Sequence, residues 1–304
     1  MTAPLRRRWL LFRIGAVIAV MVIAAMPFGY VGIAIVSAHL LTRPSNVPSR
    51  LDPRRVGPAE PWEAVTEDGL TIRGWYVPSP SSVPRRLIVG VHGMQMNWGE
   101  LAGVGRDLHR RGFDVLLFDL RGHGRSDPAR LSMGRAERLD LRAVLRWAEA
   151  EGFPSDRVGW LGWSLGGSTV LLEGLDNPKI AAAVLDSPFG DLPELLDEQL
   201  SAHSGLPPLF NPAILTAAHL VYGVRTDDLV PVRLASRWGD RPLLIIHGEE
   251  DSIVPVAHGR AIARAVGPSC ELVTLPGVEH VEAYQDDRSA YVDRVERFFR
   301  EHLD

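Results

Sequence analysis

A short apolar run, Arg157-Val158-Gly159-Trp160-Leu161, passes directly into Gly162-Trp163-Ser164-Leu165-Gly166-Gly167 and on to Ser168-Thr169-Val170-Leu171-Leu172-Glu173. The first piece reads as a buried strand and the last as the opening turns of a helix, so the glycines and the serine sit at a sharp strand-to-helix turn. That layout constrains the fold more than any other stretch of the chain. A serine hydroxyl attacks well only when its oxygen projects clear of the backbone. Gly162 and Gly166 allow neighbouring backbone to pass close by without a Cβ collision. The helix that follows turns its unpaired N–H groups toward the place where an oxyanion would form. Taken alone, G-x-S-x-G is a weak signal, because glycine and serine share many turns. Its surroundings decide the matter.

From Trp62 onward, strand and helix signals alternate, which predicts an α/β domain with a mostly parallel sheet and helices on both faces. Trp62–Thr66 and Leu70–Val77 flank Glu67-Asp68-Gly69 and read as a hairpin. Further strands are expected at Arg86–Val91, Asp114–Phe118, Ile180–Leu185, Pro242–Ile246 and Glu271–Leu275, with helices near Trp98–Arg111, Arg135–Ala150 and Ser289–His302. The stretch Asp191–Arg237 breaks this rhythm. It is too long for a simple crossover and contains several prolines, so it reads as a small helical cap over the active-site end of the sheet.

The N-terminus departs from the soluble pattern. Arg6, Arg7 and Arg8 make a basic tail at residues 1–8, and Ile14–Ala38 then runs 25 residues without a charged or histidine side chain. As a helix that run is about 37 Å long, more than the ~30 Å hydrocarbon core of a bilayer. Residues 9–41 therefore read as one transmembrane helix, kinked at Pro27 and Gly29. A cleaved signal peptide ending at Val36-Ser37-Ala38 is the competing reading, but its apolar stretch is too long for an ordinary signal sequence. Residues 42–61 hold Pro44, Pro48, Pro53, Pro58 and Pro61 and read as an extended linker to a catalytic domain at 62–304. On that reading, removal of residues 1–41 would release an active soluble domain. Arginines flank the span on both sides, so orientation rests on the tight Arg6–Arg8 cluster, which favours a cytoplasmic N-terminus and an extracytoplasmic domain.

Composition excludes several classes. The chain is 46% apolar and 23% charged, enough for a sizeable core, and its net charge of −4 argues against a nucleic-acid partner. Cys270 is the single cysteine, so neither an intramolecular disulfide nor a cysteine metal cluster can form. The histidines and carboxylates do not fall at metal-ligand spacings. No metal and no cofactor is implied, and oligomeric state is not legible.

Six segments together resemble the α/β-hydrolase superfamily: Val91-His92-Gly93-Met94, Asp119-Leu120-Arg121-Gly122-His123-Gly124, the Ser164 turn, Asp186-Ser187-Pro188-Phe189, His247-Gly248-Glu249-Glu250-Asp251-Ser252-Ile253-Val254-Pro255 and Gly277-Val278-Glu279-His280. Within it the chain is similar to the serine-aminopeptidase and monoacylglycerol-lipase-like branch, and to its small membrane-tethered bacterial members. The resemblance implies an α/β-hydrolase fold and the chain order serine, acid, histidine, each after a strand. Ser164 is then the nucleophile. Of the histidines beyond the acid, His280 alone follows a strand by a short loop, and it is the expected base. The H-G-x-x-D-x-x-V-P match favours Asp251 as the acid, with Glu249, Glu250 and Asp186 as alternatives. The oxyanion hole is expected from the backbone N–H groups of Met94 and Leu165. Phe189 and Trp98 are candidate walls of an apolar acyl pocket, with core packing as the competing use. His92 and His123 read as loop braces rather than ligands. These roles imply a serine hydrolase acting on an ester, thioester or amide of a small or lipid-like acyl substrate. A peptidase or acyl-aminopeptidase is the alternative among enzymes, and a silent hydrolase scaffold used for binding is the alternative outside them.

Overall fold

Alternation along the strands builds the centre of the protein. In the computed structural model, which describes residues 3–80, 85–227 and 229–303, β3 (Leu87–Val91) and β4 (Asp114–Asp119) are buried along their whole length. Leu87, Val89, Val91, Leu116 and Phe118 enter the core on one face of the sheet, while Ile88, Val115 and Leu117 enter the core on the other. Successive strand side chains point to opposite faces, so a strand apolar at every position needs a helical layer on each side. Helices α3 (Arg138–Ala150), α4 (Leu165–Asp176) and α7 (Ala257–Val266) cover the first face. On the second lie α2 (Ala102–Arg110), the short α8 (Ala283–Asp286) and α9 (Arg288–His302), the last burying Tyr291, Val292, Val295, Phe298 and Phe299 at helical spacing.

The sheet has eight strands in the order β1-β2-β4-β3-β5-β6-β7-β8. Besides β3 and β4 these are β1 (Glu60–Val65), β2 (Thr71–Val77), β5 (Val158–Trp163), β6 (Ala182–Asp186), β7 (Leu243–Gly248) and β8 (Cys270–Leu275). The β1–β2 hairpin and the β2–β4 pair are antiparallel, and every other pair is parallel. The hairpin turns where Gly69 adopts φ +86°, as its position between two alternating runs predicts. Parallel pairing places the carboxyl ends of β3, β5, β6, β7 and β8 along one edge. This is where α/β sheets carry their sites.

Two helices lie over that edge. Asp191 caps α5 (Leu192–Ser204) by accepting the Glu194 N–H at 3.0 Å, and Gly205, at φ +67°, ends it. Helix α6 (Asn211–Tyr222) ends likewise at Gly223. The remainder of the expected cap is different: the 3-10 segment Pro231–Trp238 packs on α4 and α7 and leads into β7.

Helix α1 runs from Ala3 to Thr42, so it takes in residues 3–8 of the expected tail, while residues 1 and 2 and residue 304 lie outside the described set. Its stretch Leu11–Thr42, which contains an 18-residue window of mean hydropathy 2.3, is long and apolar enough to cross a membrane, as a span or a signal sequence would be. Its C-terminal turns pack against α6. The segment that follows has no regular structure up to the 3-10 turn Pro53–Arg55 and lies against the domain. The Gln95 side-chain amide donates to the Arg43 carbonyl at 2.7 Å, and the Asn97 amide donates to the Val47 carbonyl at 3.3 Å.

Candidate active site

The turn from β5 into α4 holds Ser164 at φ +52°, in the left-handed region that a side chain seldom adopts. The adjoining glycines make this conformation attainable. A Cβ on Gly166 would overlap the carbonyl oxygen of Val91, and one on Gly162 would lie 2.6 Å from the Cα of Gly167. The other non-glycine residues at positive φ among those described are Gln95, Met133, Ser187 and Val281, at 63°, 57°, 51° and 58°. Met133 lines the cavity over Ser164, Val281 follows His280, and the Val281 N–H reaches Ser187 Oγ at 3.4 Å. Backbone strain thus gathers around one end of the sheet, where surrounding structure must hold it.

The loop after β8 brings His280 to the serine. Its Nε2 lies 2.9 Å from Ser164 Oγ and its Nδ1 lies 2.7 Å from Asp251 Oδ2. Burial alone would raise the Asp251 carboxyl, but hydrogen bonds from His247 and His280, with that of the Val254 N–H, outweigh it and hold the group well below the usual carboxylate range. An ionised carboxylate only accepts, so Nδ1 carries the imidazole proton and Nε2 is left to accept from the serine hydroxyl. Asp251 is itself fixed from its other side: Val254 N–H donates to Oδ1 at 2.7 Å and Ile253 N–H at 3.0 Å.

The other carboxylates considered for this role lie elsewhere. Asp186, at the end of β6, is fully buried, which pushes its carboxyl up to about 6, and Ser187 Oγ donates to it at 3.2 Å. Glu249 accepts from Thr274 Oγ1 at 2.7 Å and from Arg260 at 3.1 Å, and Glu250 is exposed.

Above the serine is a cavity of about 120 Å³. Met94, Leu165, Phe189, Leu192, Leu196 and Val254 contribute to its walls, and Gln199 is the one polar residue there besides Ser164 among those described. Met94 and Leu165 thus share the cavity with the nucleophile, and Leu165 opens α4, where first-turn N–H groups lack partners within the helix. Trp98 is a correction. It is buried in the core between β3 and α2, edge-on to Trp75, with its backbone N–H donated to Asp119 Oδ1 at 2.8 Å, and it does not reach the cavity. A large ring in a 3-10 turn over a sheet finds more apolar contact inward than toward a cleft.

His92 and His123 brace loops. Leu120 N–H donates to His92 Nε2 at 3.0 Å, and Gln95 N–H donates to His123 Nε2 at 3.3 Å. Burial, reinforced by the neighbouring His123, pushes His92 down to about 3, so it is neutral.

Of the residues at the site that escaped the sequence reading, Met133 and Gln199 among them, two bear most on its chemistry and shape. Glu100 follows the Gly93 loop, and its Oε2 accepts the Gly93 N–H at 2.6 Å. A Cβ on Gly93 would lie 3.4 Å from either Glu100 oxygen and 3.5 Å from Ser164 Cβ, so only a glycine separates this carboxyl from the nucleophile. Burial pushes Glu100 up to about 7 against the downward pull of that hydrogen bond and of His280, with Asp186 adding to the rise. A lone glutamate in a turn carries no sequence signal of such a setting. The second is Leu41, which reaches the cavity wall from α1.

Comparison with known proteins bears on the fold and the family. A family model described as serine aminopeptidase, S33, matches residues 82–228. A Mycobacterium tuberculosis protein of uncharacterized function is 30% identical over 239 residues, 78% of this chain and 77% of that one. The monoacylglycerol lipase of Mycolicibacterium smegmatis is 23% identical over 269 residues, covering 74% of this chain and 91% of the lipase. Among solved structures, an esterase of Pyrococcus furiosus matches the fold with a TM-score of 0.72 at 24% identity, over 86% of this chain and 98% of the esterase. With these matches joined to the strand order and the Ser164 turn, the chain belongs to the serine aminopeptidase (S33) family of α/β hydrolases and is a serine hydrolase.

Proposed function

We propose that the protein is a membrane-anchored esterase that cleaves apolar acyl esters through a Ser164–His280–Asp251 triad and an acyl-enzyme. The observation that carries this is the continuous hydroxyl–imidazole–carboxylate chain, at 2.9 and 2.7 Å, opening into a cavity walled by aliphatic, methionine and phenylalanine side chains. Ser164 Oγ attacks the ester carbonyl as its proton passes to His280 Nε2. Asp251 holds the imidazole in the tautomer that can take that proton and stabilises the imidazolium formed. The N–H groups of Met94 and Leu165 receive the oxyanion of the tetrahedral intermediate. Collapse expels the alcohol, which takes its proton from His280. A water then gives a proton to His280 and attacks the acyl-serine, and the acid leaves as the hydroxyl reforms.

An aminopeptidase would need an anionic partner for the substrate's ammonium group. Among the described residues the cavity lining has no charged side chain, which supports ester over amino-terminal peptide. The relative's activity as a monoacylglycerol lipase supports a lipid-like acyl substrate. Anchoring rests on Leu11–Thr42 and on the burial of Ala34 and Ala38 under the cap, which a cut after Ala38 would undo. The Arg6–Arg8 cluster supports an extracytoplasmic catalytic domain.

A fluorophosphonate probe should label the wild-type serine and leave Ser164→Ala unlabelled. p-Nitrophenyl esters of short to medium chain should be turned over faster than aminoacyl anilides. Equal labelling of both proteins would return the fold to a binding role.

A further inference from the structure

Helix α1 has more at its C-terminal end than apolarity. Ala34, Ala38 and Thr42, one residue in every four, are buried along one face. Small residues at that spacing let helix backbones come close, and this face meets α6. Polar contacts secure the same end. The Arg130 guanidinium donates to Thr42 Oγ1 at 3.2 Å and to His39 Nδ1 at 3.1 Å, and the Leu131 N–H donates to the Thr42 carbonyl at 3.0 Å. Helix phase then turns Leu41 inward, where it packs with Leu195 and Leu196 and lines the cavity that also contains Ser164. Its neighbour Leu40 points outward and is 63% exposed.

Further back along α1, Tyr30 donates its hydroxyl to the Leu209 carbonyl at 2.7 Å and lies 4.8 Å from the Phe210 ring. Trp9 precedes Tyr30 by 21 residues, a helical length of about 32 Å, close to the hydrocarbon thickness of a bilayer. Aromatic residues favour both boundaries of that layer. A boundary at Tyr30 would bring the exposed Leu209 to the bilayer surface and set Leu41 about 16 Å above it.

We propose that α1 is a wall of the acyl site as well as an anchor: Leu41 sets which acyl chains fit over Ser164, and the chain admitted belongs to an ester lipid drawn from the membrane in which α1 sits. The inference rests on the membrane-anchored esterase reading and goes beyond it, since an anchor that served only as a tether would have no side chain in the pocket.

The test uses the full chain in phosphatidylcholine nanodiscs with p-nitrophenyl acetate, butyrate and octanoate. Leu41→Trp should lower the octanoate-to-acetate ratio of kcat/KM by about tenfold, the loss of roughly two methylenes of burial. Leu41→Ala should move the preferred chain length upward, and Leu40→Trp should keep the wild-type ratio. Fluorophosphonate labelling of each variant checks that the site has formed. A dioleoylglycerol-free monooleoylglycerol probe held in the same disc as the enzyme should be hydrolysed at least several-fold faster than the same probe held in separate discs. Labelled Leu41 variants with unchanged chain-length profiles, or equal rates for same-disc and separate-disc probe, would overturn the inference and leave the esterase standing. Absence of acyl-ester turnover by wild type would instead remove the reading beneath it.

Discussion

Glu100→Gln offers a test of the site's electrostatics that does not depend on turnover. The carboxyl is largely enclosed beside Gly93, and that burial pushes it up to about 7, against 4.5 as its ordinary value. Between those two pH values the folded chain binds the proton and the unfolded chain releases it, so stability falls as pH rises through the interval and is level above it. Each decade is worth about 1.4 kcal/mol, and ionising Glu100 therefore costs the fold about 3 kcal/mol. Glutamine keeps an oxygen that can accept the Gly93 N–H and never ionises. Wild type should lose about 3 kcal/mol between pH 4.5 and pH 8.5 that the variant does not lose, about 6 °C in melting temperature for a chain of this size. Thermal unfolding of detergent-solubilised full-length protein at several pH values measures it. Taking the difference between the two proteins cancels the titrating groups that do not interact with Glu100, which leaves the ionisation of Glu100 together with its coupling to Asp186 and His280. Parallel melting curves for wild type and Glu100→Gln across that range would refute the reasoning, because the burial of the charge would then be costless.

Asp251→Asn should reduce kcat about 10⁴-fold with little change in melting, since asparagine presents the wrong partner to His280 Nδ1. Asp186→Asn should cost far less in kcat, and the reverse ranking would reassign the acid. Gly166→Ala drives a Cβ into the main chain of Val91 and His92, an overlap that no side-chain rotation can relieve. It should cost more than ~3 kcal/mol in unfolding measurements and abolish probe labelling.

Much of this was readable from the chain because it depends on local chemistry. The glycines around Ser164, the apolar strands between turn residues and the apolar face of α9 each announce themselves within about fifteen residues. A parallel sheet then follows from their alternation. Site assignment drew on order along the chain, and order leaves a choice. Asp186 and Asp251 both follow parallel strands, and only the path of the loop after β8 determines which carboxylate His280 meets.

Other features have no local signature. Trp98 and Phe189 are both large aromatic residues near a motif, yet one packs inward behind β3 and the other faces the cavity, a difference set by the layers around them. Glu100 acquires its raised titration from neighbours distant in sequence. Helix α1 shows the division most plainly. Its apolarity and length are composition, written in Ile14–Ala38, and they predict a segment able to lie in a bilayer. That its last turns also close the cavity depends on Ala34, Ala38 and Thr42 meeting α6 more than 170 residues later. Burial against a distant partner is a property of the packed chain, so tertiary structure alone made α1 part of the cavity wall.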